Sequence, residues 1–131
     1  MVFTWLDYLD IAEWLYQQGG SNKPKSVALY RSAVGRAYYG IFCHSRDFAE
    51  DYLHYIPEAD GTDHHRVAFY YKQYNPKIGR LLLNLHSFRK RCDYDLVVTD
   101  EMNARNTRAL LDSAKEIRDL IDMIPGRRSL R

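Results

Sequence analysis

Arg89 and Asp93 lie one helical turn apart, with Tyr94 next in the chain, so a guanidinium, a carboxylate and a phenol gather at one end of an apolar stripe. Earlier in the chain, Arg36-Ala37-Tyr38-Tyr39 repeats the pairing of a cation with aromatic rings. Guanidinium groups hold phosphate oxygens and rings stack on bases, so both segments suit an anionic, aromatic ligand. The cations at 89–91 belong to a longer segment. Between Asp63 and Asp93 there is no carboxylate, while Arg66, Lys72, Lys77, Arg80, Arg89, Lys90 and Arg91 are interleaved with Tyr70, Tyr71 and Tyr74. The whole chain carries only +2, which makes this cationic stretch a local feature and points to an anionic partner. A solvated helix face, balanced by acids elsewhere in the fold, is the competing explanation.

Histidines are the residues that would turn binding into turnover. His64 beside His65 sits at a helix start, and His44 lies on a longer helical run. Adjacent histidines point to different sides of a helix and no carboxylate follows at ligand spacing, so no metal site is expected. Cys43 and Cys92 lack CxxC or Cys/His spacing and read as free thiols of a reducing compartment. No cofactor is expected. Arg80 and His86 lie about 120° apart on an uninterrupted helix, so they do not converge on one phosphate within a single chain; convergence would require a helix interruption or a second subunit. Arg89 and Asp93 fit an ion pair that fixes the bundle as well as they fit ligand contact. Arg36 is placed to reach Asp93 from a neighbouring helix or to hold a phosphate.

The elements that must position these groups are helical almost throughout. Thr4 with Asp7 resembles a capping box, and Phe3 and Tyr8 a hydrophobic staple, so the first helix is expected to start there and to end at Gly19-Gly20. A turn through Pro24 leads to the longest helix, from about Lys25 to Tyr52, with Tyr30, Val34, Ala37, Tyr38 and Ile41 on its apolar face. Gly35 and Gly40 inside it each cost about 1 kcal/mol relative to alanine, which suggests neighbours at close approach. A loop over 56–62 precedes a short helix from His64 to Tyr71, capped by Thr62 or Asp63, and Asn75-Pro76 opens a fourth. That helix carries Arg89 at or near its buried face. Thr99-Asp100-Glu101 is expected to begin the last helix, with Met102, Leu110, Ala114, Ile117 and Ile121 inward and Pro125-Gly126 as its stop.

Taken together, Arg36-Ala37-Tyr38-Tyr39, Thr62-Asp63-His64 and Phe88-Arg89-x-x-Cys92-Asp93-Tyr94 resemble, in order and spacing, the HEPN family of nucleotide-binding domains. Cys92 and Phe88 stand where many members have Ala and Leu. The resemblance covers most of the chain. It implies an up-and-down helical bundle that pairs as a homodimer, with a polar groove facing RNA or nucleotide. It also implies a toxin–antitoxin or stress setting beside a nucleotidyltransferase partner. Many relatives are metal-independent ribonucleases marked by an Arg followed four to six residues later by a His. Where they place that motif, this chain has Arg89-x-x-x-Asp93-Tyr94, and an ionised aspartate is a poor proton donor.

The expectation is therefore an all-α, single up-and-down bundle of four to five helices over residues 1–126, with a basic tail over 127–131. No apolar run approaches the roughly 18–20 residues of a membrane span and no leader is evident, so a cytoplasmic protein is expected. The expected function is that of an RNA- or nucleotide-binding module, non-catalytic or weakly catalytic. Its ligand contacts would come from Arg36, Tyr39, Arg89, Lys90, Arg91, Asp93 and Tyr94. The alternatives are a metal-independent ribonuclease, with His64, Arg89 and Asp93 as its catalytic candidates and His44 as another proton donor, or a structural, partner-binding bundle.

Overall fold

Apolar residues at three- and four-residue steps become five α-helices, and among the described residues there is no strand. The computed structural model describes residues 2–94 and 103–125. The helices are α1 (Asp7–Ser21), α2 (Ser26–Tyr52), α3 (Asp63–Tyr70), α4 (Pro76–Tyr94) and α5 (Ala104–Asp122), with 3-10 turns at Lys23–Lys25 and Tyr71–Gln73. The fold is an all-α helical bundle. The expected start of the last helix at Thr99-Asp100-Glu101, its Met102, the boundary at Gly126 and the tail 127–131 lie outside the described residues. No helix among the described residues is long and apolar enough to cross a membrane.

The entry to α1 follows the local rules. The Asp7 carboxylate accepts from the Thr4 backbone N–H at 3.3 Å, and the Phe3 and Tyr8 rings meet with centroids 5.9 Å apart. The helix begins at Asp7 and runs one residue past Gly20, to Ser21. At its start α3 departs from expectation. Thr62 makes no side-chain cap, and Asp63 instead accepts from the Tyr55 hydroxyl at 2.6 Å, tying the preceding loop to the helix. Burial and this bond push the Tyr55 phenol up to about 12. For α4 the Asn75 side chain accepts from the Lys77 N–H at 3.0 Å, with Pro76 at the first helical position. Asn103 caps α5 in the same manner, accepting from the Asn106 N–H at 2.8 Å.

The long α2 is the spine. Its Ala33, Ala37, Tyr38 and Ile41 are buried against Leu9 and Ala12 of α1, Ile78, Leu82 and Leu85 of α4, and Leu111, Ala114, Ile117 and Ile121 of α5. Gly40 explains how α1 gets so close: a Cβ there would lie 2.8 Å from the Trp5 carbonyl oxygen and 2.8 Å from Tyr8 Cβ. Polar ties fix helix register at the periphery. Glu13 of α1 accepts from Arg108 at 2.6 and 2.8 Å and from Lys115 at 2.8 Å, both on α5, and Lys77 of α4 pairs with Glu116 of α5 at 2.6 Å. The Tyr71 ring is fully buried, and its hydroxyl donates to the Ser45 carbonyl at 2.6 Å, so the 3-10 turn after α3 is anchored to α2.

Candidate functional site

Helical spacing brings Arg31, Ser32, Gly35, Arg36 and Tyr39 onto one face of α2, opposite Arg89 and Asp93 on the last turns of α4, and together they line an open cleft of about 420 Å³. Among the described residues, three guanidinium groups and one carboxylate line it. The cleft is held at its base by Arg31, whose Nη1 donates to the Cys92 carbonyl at 2.8 Å, near the end of α4 where backbone carbonyls lack helical partners. A cation here also meets the negative end of the α4 dipole.

Each charged group has a defined setting. Arg89 Nε lies 2.9 Å from Asp93 Oδ2, with the two side chains 33% and 36% exposed. The separation makes an ion pair, yet the Nε–H is not aligned for a hydrogen bond to that carboxylate, so it is a buried donor with no hydrogen-bond partner among the described residues. The guanidinium also leans over the Tyr38 ring, 5.9 Å from its centroid. Arg36 is exposed and stands over the Tyr8 ring at 5.8 Å. It forms no ion pair with Asp93, although the two line the same cleft.

Tyr39 provides the flat surface. It is 41% exposed, and its ring is fixed edge-on against Trp5 at 5.6 Å and Tyr8 at 5.8 Å. Trp5 is itself held by donating its indole N–H to Asp47 at 2.7 Å. A ring so braced loses little freedom when a base stacks on it. Gly35 is equally informative. A Cβ at this position would meet nothing within 4 Å, so unlike Gly40 it answers to no neighbour inside the chain. Its side of the helix opens into the cleft.

The other expected residues fall elsewhere. Lys90 and Arg91 line a separate cleft with His65, His86 and Ser87. Tyr94 ends α4, and its side chain lies outside the described residues. His44 and His64 do not line the α2–α4 cleft. His64 is set behind Tyr38. Its Nδ1 is 2.5 Å from the Tyr38 hydroxyl, and its ring stacks on Phe42 at 4.2 Å and on His86 at 4.5 Å. Burial, reinforced by the nearby Arg89 charge, lowers the His64 pKa, while burial raises that of the Tyr38 phenol. The result is a neutral imidazole against a protonated phenol at neutral pH. Arg80 is exposed and His86 buried on the unbroken α4, as the 120° spacing requires.

Arg31, Ser32 and Gly35 line the cleft but are not among the ligand contacts expected from the sequence, where Gly35 suggests a close helix neighbour instead. They precede Arg36 and Tyr39 by one turn on the same helical face, so the 3.6-residue period contains the signal once α2 is known to be unbroken. Among the described residues no group of three or more His, Cys, Asp or Glu side chains is placed to hold a metal ion. No protein-family model matches the chain, and no curated protein or solved structure matches it.

Proposed function

We propose that the α2–α4 cleft binds the phosphate of a nucleotide or of single-stranded RNA, in a HEPN-like binding module that works without turnover or nearly so. The observation that carries this reading is the convergence of Arg31, Arg36 and Arg89 on one cleft in which Asp93 is the single carboxylate among the described residues, beside an exposed, braced Tyr39. The guanidinium groups supply charge-assisted donors and Tyr39 a stacking surface for the base. Asp93 orients Arg89. Binding without turnover is favoured because no imidazole, the usual proton shuttle near neutral pH, is among the described residues that line the cleft. The HEPN reading brings with it a cytoplasmic setting, a homodimer and a nucleotidyltransferase partner in a toxin–antitoxin or stress system. These rest on the sequence resemblance.

One observation favours a second reading, a metal-independent ribonuclease. Arg89 contacts the ring whose hydroxyl meets His64, so a cation and an imidazole are joined through Tyr38. Labelled single-stranded RNA incubated with the protein in EDTA separates the two. Salt-sensitive binding without cleavage, weakened by Arg36→Ala, supports the module. Cleavage abolished by His64→Ala and Arg89→Ala establishes the nuclease. RNA that neither binds nor is cut, with nucleotides also unbound, removes both and leaves a structural bundle.

A further inference from the structure

On α4, Lys90 is turned by about 100° from Arg89, toward α3 and away from the Arg31–Arg36 face. There His65, Leu83, His86, Ser87, Lys90 and Arg91 line a cleft of about 420 Å³. Among the described residues its polar lining consists of two imidazoles, an ammonium, a guanidinium and a hydroxyl, with no carboxylate. His86 is the most informative member. It is only 9% exposed, packed against the Tyr38 ring at 5.4 Å and the His64 ring at 4.5 Å and met edge-on by His65 at 5.4 Å, and no hydrogen bond to a described residue engages its ring nitrogens. A buried imidazole normally has such a partner. Here the cleft is where one would be found.

We infer that this α3–α4 cleft is a second anion site, built for a phosphate group, in which Lys90, Ser87 and His86 donate to the phosphate oxygens. A lining made of donors suits an oxyanion with several acceptor oxygens, and the His86 imidazole, Ser87 hydroxyl and Lys90 ammonium lie within about one turn of α4, close enough together for one such anion to accept from all three. The electrostatics agree. His86 is pushed down to about 4, first by burial and then by the groups facing it: His64 and His65 from α3, and Lys90 and Arg89 from α4. The remaining neighbour, Tyr38 of α2, is held in its neutral form by burial. A bound anion offsets the repulsion that the Lys90 and Arg89 charges exert on a protonated His86, so His86 gains proton affinity when the site fills. Phosphate binding at this site therefore takes up protons. The site does not rest on the α2–α4 reading, because the two clefts share no lining residue.

The test is a proton NMR titration of the five histidine ring resonances, assigned by single substitutions, with inorganic phosphate or chloride at matched ionic strength. Phosphate is expected to raise the His86 pKa by about one unit or more, and chloride is not. Lys90→Gln, at an exposed position that leaves the fold intact, is expected to abolish the rise, and Arg36→Ala to leave it unchanged. A short RNA that produces the shift at lower concentration than inorganic phosphate identifies a strand phosphodiester as the ligand. The opposite order identifies a small phosphomonoester. A His86 pKa that responds equally to phosphate and chloride, or a rise that survives Lys90→Gln, overturns the assignment.

Discussion

Replacing Gly35 by alanine separates a binding role for the α2–α4 cleft from a packing role. In the interior of a helix, alanine is favoured over glycine by about 1 kcal/mol, because the glycine backbone loses more freedom on folding. At position 35 the added methyl meets nothing within 4 Å, so the gain is realised without a steric penalty. For a chain of 131 residues, a gain of this size raises Tm by about 3–5 °C. Gly40→Ala is the internal contrast. Its methyl would press on the Trp5 carbonyl and on Tyr8 Cβ at 2.8 Å, and overpacking of this kind costs about 1–3 kcal/mol, which cancels or reverses the helix gain. Thermal unfolding followed by circular dichroism measures both. If a phosphate approaches the α2 backbone at Gly35, the same methyl displaces it, and RNA or nucleotide affinity falls roughly tenfold, equivalent to about 1.4 kcal/mol. Greater stability with weaker binding is the expected pair of results. A Gly35→Ala protein that unfolds at lower temperature refutes the reasoning about open space, and one that is stabilised but binds as before refutes the reasoning about the cleft.

Arg89→Ala should cost no more than about 1.5 kcal/mol in urea unfolding, since its partner is a half-exposed i,i+4 aspartate and its remaining contact is the Tyr38 ring; a loss of about 3–5 kcal/mol would instead mark a structural ion pair. The Glu13 carboxyl is held down to about 2, chiefly by the Arg108 hydrogen bonds. Its stabilising contribution is full above the unfolded value near 4.5 and is lost as pH falls toward 2. Glu13→Gln should therefore be less stable than the parent by about 1–2 kcal/mol at pH 7, after allowing for its partial exposure, and the two unfolding curves should converge near pH 2. His54→Gly should be neutral or stabilising by a few tenths of a kcal/mol in the same assay, because His54 occupies the left-handed region at φ 63° as the chain leaves α2.

The bundle was legible because its signals are local. The Thr4–Asp7 box, the Phe3–Tyr8 staple, the Pro76 start and the apolar stripe of α2 all depend on residues within two turns of one another, and each appears where the spacing places it. The Asp63 role was not legible, because its hydroxyl partner Tyr55 belongs to the loop before α3 and competes with capping. Reading Gly35 and Gly40 alike from sequence was half right: α1 closes on Gly40, whereas Gly35 faces a cleft. The cationic run from Arg66 to Arg91, which points to an anionic partner, does not form one surface. Successive residues of a helix point about 100° apart, so Arg89 went to one cleft and Lys90 and Arg91 to another. The burial of His64 and His86 behind Tyr38 depends on how α3 packs across α2 and α4, which no local pattern encodes.

The measurement that bears most directly on phosphate binding at the α2–α4 cleft is fluorescence anisotropy of labelled single-stranded RNA over a salt series in EDTA, for the parent protein and Arg36→Ala. Three guanidinium contacts predict a log–log slope of about −2, at roughly 0.7 per phosphate, and loss of Arg36 should reduce its magnitude by about 0.7 without changing Tm. A slope near zero, or one identical in the Arg36→Ala protein, would contradict phosphate binding in this cleft.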